Sequence, residues 1–109
     1  NMTFQLSERQ IQQTIIEYLG KSGWLAFRIN AGLLTVGREK QRMVRLLPAG
    51  FPDILAFKKG MPALAVEVKR PGKKPTFAQE RMAEDLRAHG VATVVATCIE
   101  DVSRYVKIV

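Results

Sequence analysis

An α/β fold, with a mixed central sheet flanked by helices, is predicted by three features of the sequence. Two amphipathic segments each open on a capping-box spacing, Ser7 with Gln10 and Thr76 with Gln79. Two β-rich runs, Asp53–Lys58 and Ala63–Lys69, face each other across the turn signal Lys59-Gly60. A continuous apolar run, Val91–Cys98, follows the second helical segment and suits a strand covered on both faces. At 109 residues, 47% hydrophobic and 25% charged, the chain is sized for one domain, 1–109, around one modest core. No internal repeat, low-complexity tract or linker divides it.

The first helix starts behind the N-cap Ser7, with Leu6 and Ile11 in the positions of a hydrophobic staple, and its apolar face reads Ile11, Ile15, Tyr18 and Leu19. It ends around Gly20 to Gly23, where glycine can take the left-handed terminal conformation. Trp24–Asn30 reads as a strand, Ala31–Arg42 as a polar, glycine-bearing mobile loop or hairpin, and Met43–Leu47 as a short strand. Pro48-Ala49-Gly50-Phe51-Pro52 forces a turn before Asp53, and the return strand stops at Arg70-Pro71-Gly72. The second helix runs from Thr76 to about His89 on a stripe of Met82, Leu86 and neighbouring alanines, with Gly90 as terminator. Glu100–Val106 closes the chain as a short helix, so the expected order is α-β-β-β-β-α-β-α.

Composition narrows the function classes. Seventeen Lys and Arg against ten Asp and Glu give a net charge of +7, which suggests a polyanionic partner, against the plainer reading of a basic, soluble surface. No apolar run approaches the roughly 18 residues of a membrane-spanning helix, so a soluble protein without a membrane partner is expected. Asn1-Met2-Thr3-Phe4 lacks the basic and apolar regions of a secretory signal, and a cytoplasmic location is expected. The lone Cys98 excludes an internal disulfide and a multi-cysteine zinc site, and reads as a buried small hydrophobe in a reducing compartment. The single His89 cannot build a histidine cluster and reads as structural, near a helix end. Gly72-Lys73-Lys74-Pro75-Thr76 lacks the Gly-Lys-Ser/Thr order of a P-loop, so no nucleotide cofactor is expected.

The chemistry converges on the hairpin. Asp53 begins one arm and Glu67-Val68-Lys69 ends the other, so the tight turn brings them together. Residues i and i+2 of a strand share a face, so Glu67 and Lys69 project together while Val68 points into the opposite layer. Two carboxylates at a strand end suit Mg²⁺ or Mn²⁺, which prefer oxygen ligands and keep several waters. A lysine beside them can orient or help deprotonate an attacking water and neutralise charge growing on a phosphate oxygen. Taken singly, Pro52-Asp53 is a common turn dipeptide and Glu-x-Lys a common surface pair. The conjunction of all three across one hairpin is what points to phosphodiester hydrolysis.

The sequence resembles the VRR-NUC (virus-type replication-repair nuclease) branch of the PD-(D/E)xK nucleases. The resemblance runs from Glu8 and Ile11-Gln12, through Arg28-Ile29-Asn30-Ala31-Gly32 and Gly50-Phe51-Pro52-Asp53, to Glu67-Val68-Lys69, Gln79 and Gly90-Val91. It implies a restriction-endonuclease-like core in which Asp53, Glu67 and the main-chain carbonyl of Val68 hold the metal and Lys69 positions the water. It also implies that Glu8 approaches the metal from the first helix and that Gln79 faces the site from the second. An acid in a first helical turn is favoured by the dipole alone, and Glu17 is the alternative acid. Gln79 is equally placed to complete a cap with Thr76, and both roles are compatible.

Arg28 and Asn30 share a strand face and are expected near the scissile phosphate. Arg38, Lys40, Arg42 and Arg45 in the earlier loop, and Arg70, Lys73 and Lys74 after the catalytic strand, form two basic segments suited to phosphate contacts. The resulting expectation is an intracellular, bacterial or phage-encoded DNA endonuclease that requires Mg²⁺ or Mn²⁺ and leaves a 5′-phosphate and a 3′-hydroxyl. A chain this short has no separate recognition domain, so structure-selective cutting is expected, foremost by a homodimer resolving four-way (Holliday) junctions, with flap or other repair cleavage as the alternative. A non-catalytic nucleic-acid-binding module is the reading from another class.

Overall fold

A computed structural model describes residues 5–29, 33–36, 42–45 and 47–106, with backbone alone for 33–36 and 42–45. The elements are α1 (Glu8–Lys21), β1 (Leu25–Arg28), β2 (Leu33–Val36), β3 (Arg42–Arg45), β4 (Ile54–Phe57), β5 (Leu64–Val68), α2 (Phe77–Ala88), β6 (Ala92–Ala96) and α3 (Ile99–Val106). Both capping boxes form, Ser7 with Gln10 and Thr76 with Gln79, each side chain meeting the other residue's backbone amide. The stretch expected as a loop or hairpin supplies one strand more than anticipated. β2 pairs with β3 antiparallel as a separate two-stranded sheet, Leu33 opposite Arg45 and Val36 opposite Arg42.

The main sheet has the order β1-β4-β5-β6. β4 lies antiparallel to both β1 and β5, and β6 runs parallel to β5, so the sheet is mixed. A parallel neighbour demands a crossover, and α2 provides it. One face carries Ile54, Ala56, Leu64, Val66, Val68 and Ala96, which join Ile11, Ile15 and Leu19 of α1 and Val102 of α3 in the core. Ile15, Leu19, Ile54, Leu64, Val66, Val68 and Val102 are fully buried, each contributing about 1.5–3 kcal/mol of apolar burial.

The other face is only partly covered. No residue of α2 is buried, so its expected stripe of Met82 and Leu86 is half-buried instead. Val95 on β6 remains 48% exposed, which corrects the expectation of a strand covered on both faces. The physical reason is position: β6 is an edge strand, and one loosely seated helix does not span its outer face. Cys98 lies beyond the strand, just before α3, and is half-buried rather than buried. His89 is the C-cap of α2, its Nδ1 2.7 Å from the Asp85 carbonyl, a structural placement at the helix end.

Candidate active site

The hairpin register decides the site. Ile54 pairs with Val66, so the preceding residue Asp53 comes beside Glu67 on the face away from the core. Asp53 is held from three sides: its amide donates to the Val66 carbonyl at 3.1 Å, its carbonyl accepts from Ile29 at 2.9 Å, and its Oδ2 accepts from the Val68 amide at 2.8 Å. Val68 itself is fully buried in the core, which leaves Glu67 and Lys69 to project together as strand alternation requires. The Lys69 amide donates to the Ala96 carbonyl at 2.9 Å, tying the end of β5 to β6.

Asp53 and Glu67 are each only 8% exposed, and two adjacent carboxylates withdrawn from water cannot both ionise cheaply. Burial, reinforced by the Asp53 charge, pushes the Glu67 carboxyl up to about 8, with Lys69 opposing and Glu8 adding to the rise. Lys69 Nζ stands 3.8 Å from Glu67 Oε2, and Gln79 Nε2 donates to the same oxygen at 2.9 Å. Glu67 Oε1 is buried with no hydrogen-bond partner. A buried oxygen without a donor beside a second carboxylate is a place where a cation removes both penalties at once.

Among the described residues no group of three or more His, Cys, Asp or Glu side chains gathers into a metal cage. The donor set is therefore two carboxylates and main chain. Within a strand the amide and carbonyl of one residue point the same way, so the Val68 carbonyl lies on the Asp53 side with its amide. Asp53, Glu67 Oε1 and the Val68 carbonyl are hard oxygens, a partial set that fits an ion retaining several waters, Mg²⁺ or Mn²⁺.

The raised Glu67 group makes the metal-free protein pH-sensitive. Its folded form keeps a proton that the unfolded chain releases near 4.5, so stability falls as pH rises from about 4.5 through about 8. Metal binding needs the ionised carboxylate and should tighten over the same window. Thermal unfolding at pH 5.5 and pH 8 should show a loss at the higher pH that Mn²⁺ reverses and that Glu67→Gln flattens. An equal response in wild type and Glu67→Gln would assign the dependence to another group.

Glu8 opens α1, half-buried, with its charge in reach of Glu67. Glu17 stands about 13 Å further along the helix and accepts from Gln13 instead, so Glu8 is the acid at the site end. Gln79 has both roles: its Oε1 accepts the Thr76 amide at 2.8 Å while its Nε2 reaches Glu67. Arg28 is bonded to α1. It shares the core face with Ile54, its register partner, and its guanidinium donates to Gln12 at 2.8 Å and Gln13 at 3.3 Å on α1.

Arg70, Lys73 and Lys74 are exposed in the turn leaving β5, with Arg70 donating to Gln5. Asn30, Arg38 and Lys40 lie outside the described residues, as do the side chains of Arg42 and Arg45. Sequence reasoning missed Gly50 as more than a turn former, and it missed Gln12 as the partner of Arg28. The only signal for either was its place in the resembling motifs.

No family model matches the chain, and no curated protein matches it. A solved structure described as a VRR_NUC domain is similar, with a TM-score of 0.66 and 22% identity over 92% of this chain and 94% of that one. The likeness bears out the expected fold, a mixed sheet flanked by helices, through nearly the whole length.

Proposed function

We propose that the chain is a divalent-metal-dependent DNA endonuclease. The observation that carries the proposal is the convergence of Asp53, Glu67 and Lys69 across one hairpin, with Glu67 Oε1 buried and lacking a donor. The likeness to a VRR_NUC domain supports it, since the fold is the one in which the sequence motifs resemble that nuclease branch. A bound Mg²⁺ would supply Lewis acidity toward the phosphate and lower the pKa of the attacking water.

The residues around it have separate tasks. Asp53 and Glu67 would hold the ion together with the Val68 carbonyl, and Gln79 restrains Glu67 by donating to its other oxygen. Lys69 presents a cation on the same face, where it can orient water and oppose charge growing on the phosphate. Arg70, Lys73 and Lys74 extend positive charge from the strand end and contact backbone phosphates. Glu8 adds an acid to the rim through α1.

The decisive experiment incubates the protein with labelled duplex, flap and four-way DNA in Mg²⁺, with EDTA as control. Cleavage to 5′-phosphate and 3′-hydroxyl ends, abolished by EDTA, is expected. Binding of all three substrates without cleavage would favour the non-catalytic module instead.

The preferred substrate under this proposal is the four-way junction, cut by a homodimer because symmetric nicks need two sites. The apolar face of α1 is buried in its own core, so it is not available as a dimer interface. A better surface is the uncovered outer face of β1 and β4, where Leu25, 60% exposed, stands opposite Phe57, 44% exposed, with Phe27 beside them. Light scattering should report twice the chain mass, and Phe57→Asp should halve it and turn paired nicks into single ones. A wild-type monomer that cuts flaps faster than junctions would overturn the junction reading and leave the nuclease reading standing.

A further inference from the structure

Gly50 approaches the second helix more closely than any other residue type allows. Its φ is +82°, and a Cβ there would sit 2.3 Å from the Ala78 carbonyl oxygen and 2.8 Å from the Gln79 amide nitrogen. Both are backbone atoms and cannot swing aside as a side-chain tip would. The glycine is therefore required twice, by the left-handed conformation and by the contact. Asp53 lies three residues further along the same loop, and Gln79 is the residue of α2 that reaches Glu67.

We propose that Gly50 is the positioning residue of the metal site. The missing side chain seats the loop before Asp53 directly on the first turn of α2, and that seating sets the reach of Gln79 to Glu67 Oε2. α2 has no fully buried residue, Met82 and Leu86 being only half-buried, so at its first turn this backbone contact is the close constraint on its height above the sheet. Pushing the helix outward by the width of a methyl group would break the 2.9 Å bond from Gln79 and free Glu67 to rotate. The proposal rests on the metal-site reading and adds a determinant remote from the ligands themselves.

The test is a double-mutant cycle read by Mn²⁺ binding in isothermal titration calorimetry, without DNA, with cleavage rates measured alongside. Gly50→Ala should weaken Mn²⁺ binding about tenfold or more, the size typical of losing support behind a ligand. Gly50→Asn should do the same, because asparagine tolerates the left-handed conformation better than alanine yet carries the same Cβ. In a Gln79→Ala background either substitution should change Mn²⁺ affinity less than about twofold, since the link it breaks is already gone. Equal losses in both backgrounds, or unchanged affinity in the Gly50 variants, would overturn the proposal and leave the metal site intact. Variants that lose cooperative unfolding would also overturn it, making Gly50 a folding requirement. Wild-type protein that binds no Mn²⁺ would instead remove the metal reading, and this inference with it.

Discussion

Glu67→Gln and Asp53→Asn should each reduce DNA cleavage by about 10³-fold or more while the protein stays folded. The magnitude follows from the ion the pair is proposed to hold: a catalytic metal contributes several kcal/mol of transition-state stabilisation, and each 1.36 kcal/mol is tenfold in rate. The fold should survive because both replacements keep their hydrogen bonds. An asparagine oxygen still accepts from the Val68 amide, and a glutamine oxygen still accepts from Gln79. Removing Glu67's charge should even stabilise the metal-free protein at pH 8, because the group it replaces is buried against Asp53 and pushed up to about 8. Single-turnover cleavage, Mn²⁺ titration and thermal unfolding on each variant check the three parts. Wild-type turnover in either variant would refute the site.

Lys69→Ala should lower kcat by about 10² to 10³-fold, the range seen when one preorganised charge-stabilising donor is removed. DNA affinity should fall only slightly, since Arg70, Lys73 and Lys74 stay exposed beside the site and phosphate contacts carry most of the affinity. Metal binding should shift to higher pH as well, because the Lys69 charge is what opposes the rise of the Glu67 carboxyl. Filter binding at fixed salt, measured beside kcat, separates the roles. A loss of binding in proportion to the loss of rate would make Lys69 a phosphate grip and remove it from the chemistry.

Much of this site was legible before any coordinates. The convergence of Asp53, Glu67 and Lys69 needed only a hairpin and the two-residue period of a strand, and the register Ile54 to Val66 delivers it. The caps at Ser7 and Thr76 needed only a side-chain oxygen and a Gln three residues on. Arg28 shows where that reasoning stops. The period put Arg28 and Asn30 on one face, but which face belonged to the core depended on α1, and α1 binds Arg28 through Gln12 and Gln13.

By itself, then, the sequence determined the order of most elements, the helix starts and the hairpin that gathers two carboxylates and a lysine, because each is a relation between near neighbours in the chain. The tertiary structure alone decided that α2 covers its face loosely, that Gly50 touches its first turn, and that Gln79 serves cap and carboxylate together. It also decided that Leu25 and Phe57 stay open to solvent. These are distances between segments far apart in sequence, and they follow from how helices seat on a twisted sheet. No residue period encodes that seating.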